Sequence, residues 1–403
     1  MTTTLASHHG ILYSPNPAGQ HIPIHGRSVA YTQALIRKPS VTPEDGGCQV
    51  WLAEKLSALG FECHAFVDNG VRNLIASIGQ GGRAFGFAGH TDVVPPGPEN
   101  RWMAPPFAAT MINDEIIGRG ASDMKSGLAC MLAATERFIQ QHGVPKQRFL
   151  WLVTSDEEGE AEYGSQSIVR YLQQQGIRLD SCLVGEPTAS SETGDTIKVG
   201  RRGALTGRIQ LRGKAGHVAY PKQTVNAIHR ASAVIDGILA LPWDEGSDDF
   251  PGTTVQITHV DSGSYTDNIV PAGCDVAFNV RYSDRFSGEQ VVAMIETVIA
   301  HVAPDSTLHW ERPCEPYINN DNSAGGLISA VERAVHANTG RYPLLSTSGG
   351  TSDGRFFAGM GAKVVELGVP NATIHQLNER VHVSDLVTLE NIYTDLLCEQ
   401  LGS

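Results

Sequence analysis

No apolar stretch in the 403-residue sequence approaches the roughly 20 residues that span a bilayer, which excludes a helical membrane protein. Lysine and arginine never gather into a run, and 30 of them stand against 43 acidic residues, for a formal net charge of −13. Phosphate binding needs clustered cations, so a nucleic-acid partner is excluded too. The seven cysteines (Cys48, Cys63, Cys130, Cys182, Cys274, Cys314, Cys398) include no C-x-x-C pair, lie far apart and are odd in number. That pattern lacks the makings of a disulfide framework and predicts reduced thiols in a cytoplasmic protein. Internal repeats and low-complexity segments are absent as well. Residues 1–26 lack the basic-then-apolar order of a signal peptide and show no helical or strand period. They read as an N-terminal extension, with His8 and His9 belonging to a poorly ordered polar terminus rather than to a metal site.

What is present points to two domains, because single cores usually stop growing near about 250 to 300 residues. Thr42-Pro43-Glu44-Asp45 predicts a helix start, with the helix running through Trp51 and Leu56 until Gly60 ends it. Short apolar runs at 73–77, 84–88, 149–154 and 182–184 predict strands, separated by helical stretches at 124–141 and 165–175. Strands alternating with helices indicate an α/β domain with a mixed, largely parallel sheet and helices on both faces. From 205 the order becomes strand, helix, two strands, helix, strand (205–211, 225–239, 253–260, 275–282, 290–300, 307–311), the signature of a ferredoxin-like α+β domain. A helix at 324–337, a strand at 363–367 and a helix at 384–401 then restore the α/β pattern. The expected layout is a discontinuous outer domain of 27–202 and 317–403 with 203–316 inserted.

Five short segments carry candidate chemistry. Gly89-His90-Thr91-Asp92 follows the strand 84–88, at the strand end where open α/β sheets place ligands. Alone, such a histidine is more often a hydrogen-bonded structural residue. Asp123 immediately precedes a helix, where an N-cap is the plain reading, but its two oxygens could also bridge two cations about 3.5 to 4 Å apart. Asp156-Glu157-Glu158 follows the strand 149–154, and Glu186 follows 182–184. Adjacent glutamates usually mark a solvated surface, yet one can bind metal while its neighbour addresses a water. His375 follows the last strand by a few residues. Four segments at or beyond strand ends, plus His375, supply two imidazoles and three carboxylates, a donor set that suits two zinc ions.

These motifs, in this order, resemble the di-zinc aminoacylase and carboxypeptidase family of metallohydrolases. The resemblance runs from about Arg27 to the C-terminus through GHTDVVPPGPENRW (89–102), GRGASDMKSG (118–127), TSDEEG (154–159), VGEPT (184–188), GDTIKVGRRGALTG (194–207), GHVAYP (216–221), SGGTSDGRF (348–356) and NATIHQLNE (371–379). It implies an amide hydrolase holding two Zn²⁺ per subunit, one replaceable by Co²⁺. Asp123 would bridge the ions, with His90 and Glu186 on one and Glu158 and His375 on the other. Glu157 becomes the general base and Asp92 the orienter of His90. Substrate contacts are implied for Arg202, Arg281, Gly350, Thr351 and Asn371. The inserted domain is implied to be a lid that forms a homodimer, with His217 reaching the neighbouring active site to stabilise the oxyanion and Asn268 also reaching across. The GRRG and SGGTSDGR segments favour an N-succinylated amino-acid substrate, since arginine forks bind carboxylates. Ser122, Ser126 and Ala204 stand where family members usually carry alanine, glycine and serine, and Ala204 lacks a hydroxyl that could contact substrate.

Other readings share parts of the pattern. A deacetylase of acetylornithine or a dipeptidase has the same metal kit, and a catalytically silent zinc-binding dimer would have no chemical need for Glu157. Gly350-Thr351-Ser352-Asp353-Gly354 matches G-x-S-x-G, and Glu366 before His382 would satisfy the order of a serine triad. Gly79-Gln80-Gly81-Gly82 resembles a dinucleotide loop only superficially, because no helix pattern follows it.

Overall fold

The computed structural model describes residues 13–14, 22–23, 26–263 and 265–402. Most of the N-terminal extension, His8 and His9 included, lies outside the described residues. The chain divides into two compact units. The larger takes in the described residues up to Ile197 together with Asn320–Leu345 and 360–402, and the smaller takes in Lys198–Asn319 and Ser346–Gly359. The segment Ser346–Gly359, expected in the larger unit, thus groups with the smaller.

The larger unit is built on an eight-stranded sheet in the order Leu344–Ser346, Thr196–Lys198, Lys363–Glu366, Ser181–Val184, Gly81–His90, Gln147–Thr154, Val71–Ile78, Glu62–Asp68. Pairing is parallel from Lys363–Glu366 to Gln147–Thr154 and antiparallel over the last two strands. Covered on both faces, the central strands are near-continuous apolar runs, with Phe85, Phe87, Phe149, Leu150, Trp151 and Leu152 all buried. Lys125–His142 is a core helix, buried continuously from Lys125 to Glu136 and packed on Arg27–Ile36 and Val383–Leu401.

Three features depart from the sequence expectation. The helix Arg27–Ile36 had no apolar period to announce it, because the buried positions include Ser28 and Thr32. The edge strand Glu62–Asp68 is largely exposed, which removes the alternation that marks a strand. The helix expected from Thr42 begins at Cys48 instead. Residues 42–47 form turns, and Asp45 reaches forward to accept the Gln49 N–H at 3.0 Å, so the helix-start signal is real but acts later in the chain.

The smaller unit is a four-stranded antiparallel sheet in the order Thr254–Asp261, Gly273–Tyr282, Gly203–Arg212, Thr307–Cys314. Its helices Ala227–Leu239 and Gly288–Val302 pack on it through Val234, Ile238, Val291 and Ile295 against Leu205, Ile209, Val276 and Phe278. This is the ferredoxin-like arrangement. A capping box fixes the second helix: Ser287 Oγ accepts the Gln290 N–H, and Gln290 Oε1 accepts the Ser287 N–H. None of the seven cysteines is paired, and no helix among the described residues is long and apolar enough to cross a membrane.

Candidate active site

Three adjacent parallel strands end at one edge of the larger unit's sheet. His90 closes the central one, Glu157 and Glu158 lie just beyond Thr154, and Glu186 lies just beyond Val184. Asp123 arrives differently from the strand-end placement expected of it. It sits in the loop joining the short strand Glu115–Ile117 to the helix Lys125–His142, and no side chain caps that helix. Two glycines let the Glu186 loop close in: a Cβ on Gly127 would stand 2.3 Å from Gly185 O, and one on Gly368 would stand 2.3 Å from Glu186 O. A larger residue at 127 would push the loop away from the helix, and one at 368 would push it away from the segment after the strand Lys363–Glu366.

These elements bring five side chains to one spot. His90 Nε2 lies 3.3 Å from Asp123 Oδ1 and 3.5 Å from Glu186 Oε1. His375 Nε2 lies 3.4 Å from Asp123 Oδ2 and 3.0 Å from Glu158 Oε1. The two oxygens of Asp123 therefore face two different histidines, each with a second carboxylate of its own. Glu157 stands beside this group, its Oε2 3.9 Å from His90 Nε2. Asp92 does more than expected: its main-chain oxygen is the nearer partner of His90 Nδ1, at 2.8 Å against 3.5 Å for the carboxylate. The carboxylate itself accepts the N–H groups of Glu157 at 3.3 Å and Glu158 at 3.1 Å, which fixes these two adjacent glutamates together.

The electrostatics are those of a cation site. Burial, reinforced by the charge of Asp123, pushes Glu186 up to about 7. Its Oε1 is buried with no hydrogen-bond partner. Burial opposes charge on His90, but Asp123, Asp92 and Glu186 outweigh it and raise the imidazole well above its ordinary value. Hydrogen bonds to Asp123 and Glu158 push His375 up to about 10. Burial raises Glu158, whereas in Asp123 the two histidines overcome burial and lower it. Carboxylates that draw both imidazoles toward positive charge make the field that attracts divalent cations. Two imidazole nitrogens and three carboxylates, one of them with a buried oxygen that makes no hydrogen bond, fit such ions.

The remaining candidates in the smaller unit are not gathered so tightly. His217 and Asn268 meet on a two-stranded ribbon, where Gly216–His217 pairs with Ile269–Val270 and the Val218 N–H donates to Asn268 O at 3.1 Å. Both are exposed. His217 Nδ1 accepts the Ala219 N–H at 3.1 Å, so in the neutral ring Nε2 carries the proton and is a donor. Arg281 lies opposite Ala204 on the sheet, its Nε bonded to Asn279 Oδ1 at 2.9 Å and its Nη1 buried without a hydrogen-bond partner. Burial lowers its pKa, and the charges of Arg202, Arg355 and Arg201 lower it further. Arg201 and Arg355 are the members of this cationic group that sequence reasoning missed; adjacency to Arg202 gave no reason to prefer one over the other. Arg202 Nη1 donates to Gly252 O at 2.9 Å. Gly350 and Thr351 precede the short helix Gly354–Gly359, and Gly350 is exposed. In the larger unit, Asn371 O accepts the Ile374 N–H at 3.3 Å in the turn leading to His375.

A serine nucleophile finds no support. Ser352 is 1% exposed and its Oγ accepts the Gly354 N–H at 3.2 Å, a helix-start role. His382 pairs with Glu115 at 3.1 Å, and Glu366 is fully buried in its strand. The glycine run 79–82 leads into the strand Gly81–His90, not into a helix.

Comparison with known proteins gives the same picture. The chain is 54% identical over 373 residues to succinyl-diaminopimelate desuccinylase 1 of Alteromonas mediterranea, covering 92% of this chain and 96% of that protein. It is 53% identical over 370 residues to succinyl-diaminopimelate desuccinylase 2 of Shewanella loihica, covering 91% and 98%. Its fold matches that of an M20 family metallo-carboxypeptidase from Sulfolobus solfataricus with a TM-score of 0.80 at 17% identity, over 92% of this chain and 98% of that one. Residues 86–399 match the description of peptidase family M20/M25/M40. The chain belongs to peptidase family M20/M25/M40.

Proposed function

We propose that the chain is a metal-dependent amidohydrolase that cleaves N-succinyl-LL-2,6-diaminopimelate to succinate and LL-2,6-diaminopimelate, a step of lysine and diaminopimelate biosynthesis in the cytoplasm. The reaction class rests on one observation: the two oxygens of Asp123 face His90 and His375 separately, each beside its own glutamate. His90, Asp123 and Glu186 would hold one Zn²⁺, and His375, Asp123 and Glu158 the other, with Co²⁺ able to replace one. Bound there, the ions would polarise the scissile carbonyl and acidify water. The substrate rests on relatives about half identical along nearly their whole length.

Glu157, beside the ligands with its Oε2 3.9 Å from His90 Nε2, is the general base. It takes a proton from the attacking water as the new C–O bond forms, and returns it to the departing amine as the tetrahedral oxyanion collapses and the amide C–N bond breaks. Asp92 holds the Glu157 amide and orients His90. The arginine group supplies the cations that a succinyl carboxylate and the diaminopimelate carboxylates require, with Arg202, Arg281, Gly350, Thr351 and Asn371 as contacts. His217 of a second copy, its Nε2–H set as a donor, steadies the oxyanion in a homodimer, with Asn268 beside it. Turnover of N-succinyl-diaminopimelate and N-acetylornithine should be measured before and after removing metal with a chelator. Hydrolysis of the succinyl substrate, lost on chelation and restored by Zn²⁺, is expected. Faster turnover of N-acetylornithine would overturn the substrate, and activity indifferent to chelation would overturn the reaction class.

A further inference from the structure

The loop that delivers Asp123 is clasped by one buried carboxylate to which the catalytic reading gives no part. Glu379 is fully buried. Its Oε1 accepts the N–H groups of Ser122 at 2.9 Å and Asp123 at 3.0 Å. Its Oε2 accepts the Gly120 N–H at 3.0 Å and Arg119 Nη1 at 2.8 Å. The main-chain oxygen of Glu379 takes the Gly118 N–H at 2.9 Å. Amides converging in this way form a concave positive nest, and a buried guanidinium adds a full charge. An ionised carboxylate, which only accepts, satisfies every one of these donors.

The same residue reaches the other half of the centre. His375 lies one short turn upstream, with its backbone at φ +58 and its side chain half exposed, so neither an easy conformation nor close packing holds it. Asn378 in the same turn is also left-handed, at φ +59. What holds this turn is polar: Arg119 Nη1, already paired to Glu379, donates to Gln376 O at 3.1 Å, and Asn378 Oδ1 accepts the Met103 N–H at 2.6 Å. Ser122 Oγ adds a bond to Arg380 O at 2.8 Å.

We infer that Glu379 is the positioning residue of the metal centre: it fixes the Asp123 loop and the His375 turn to one another, and so sets the gap between the bridging carboxylate and its second histidine. The inference rests on the metal reading proposed above. Replacing Glu379 by Gln keeps the shape but leaves one acceptor oxygen, and turns an NH₂ group toward the Gly120 N–H and the Arg119 guanidinium.

Metal-free full-length chain, wild type and Glu379→Gln, should be titrated with Co²⁺ by calorimetry and by the cobalt d–d absorption, with circular dichroism and cooperative unfolding as the check of folding. The expected result is two ions bound by the wild type, and in the folded variant an affinity about 10- to 100-fold lower with an altered absorption envelope, as for other residues that orient ligands. Should Glu379→Gln not fold, Glu379→Asp, which keeps the charge but draws it back by one methylene, is read in the same way. Wild-type affinity and spectrum in the folded variant would overturn the role of Glu379 while leaving the metal reading intact. Failure of both variants to fold would assign Glu379 to the fold and overturn it too. A wild type that binds no Co²⁺ would instead overturn the metal reading, and this proposal with it.

Discussion

The two units of the chain carry functional groups of opposite sign, set in opposite ways. In the larger, carboxylates and imidazoles from three strand ends, a loop and a turn crowd together, four of the five proposed ligands are mostly buried, and hydrogen bonds hold the loops behind them. In the smaller, the candidates are arginines on and beside a sheet whose helices cover only one face, and a histidine and asparagine on an exposed ribbon. Chemistry demands atoms fixed to within fractions of an ångström. Recognition of a long, charged substrate tolerates longer side chains that adjust. The contrast puts the proposed metal chemistry in the larger unit and most of the proposed substrate contacts in the smaller, with His217 the proposed catalytic group that the smaller unit contributes.

The sharpest way to break that assignment is at Glu157. Glu157→Gln should retain both metal ions, measured by elemental analysis, while kcat falls about a thousandfold, since the variant cannot carry the proton. Loss of metal along with activity would make Glu157 a ligand and not a base. His217→Ala should lower kcat about 100-fold, the usual cost of one oxyanion donor, with metal content unchanged. Mixing the two inactive variants tests where His217 acts. If it serves a second copy, mixed dimers contain one site with both residues intact and activity reappears; if it acts within its own chain, mixing restores nothing.

A smaller effect belongs to recognition. Arg281→Met should raise KM for the succinyl substrate about tenfold through loss of a charge-assisted hydrogen bond, with kcat and metal content nearly unchanged. A fall in kcat at unchanged KM would move Arg281 out of substrate binding and blur the contrast between the units.

The same contrast governs what the sequence reveals. Candidate ligands at the ends of apolar strands are legible because strand periodicity and the residue types of metal binding reinforce each other, as at His90, Glu158 and Glu186. Asp123 is legible by its place just before a helix but not as a core strand end, since its loop leaves a short peripheral strand. The ferredoxin-like order is legible because each strand and helix of the smaller unit has one apolar face. Asp92 is legible by its spacing from His90, but its hold on Glu157 and Glu158 is not; like Glu379 it acts there through backbone N–H groups, which no side-chain spacing announces. Arg201 and Arg355 become candidates only when folding brings them near Arg281. The helix Arg27–Ile36 is hidden because serine and threonine occupy core positions that a periodicity reading assigns to solvent.

The smallest expected effect concerns how the smaller unit keeps its shape. Asp244 fastens the turn before the strand Thr254–Asp261 to the end of the strand Gly273–Tyr282: its carboxylate accepts from Thr253 Oγ1, from Ser283 Oγ at 2.8 Å and from the Gly246 N–H at 2.7 Å. Burial pushes this carboxyl up, but those hydrogen bonds outweigh it and leave it below its ordinary value. A carboxyl held lower in the folded than in the unfolded chain stabilises the fold above the unfolded value, near about 4, and that contribution disappears as pH falls through the folded value. Asp244→Asn should therefore destabilise the chain by about 1 kcal/mol at pH 7, read as a lower unfolding midpoint in urea, with the gap from wild type closing below about pH 4. A gap that stays constant across that range would mean the neutral carboxyl stabilises the fold as much as the ionised one, so that its charge contributes nothing.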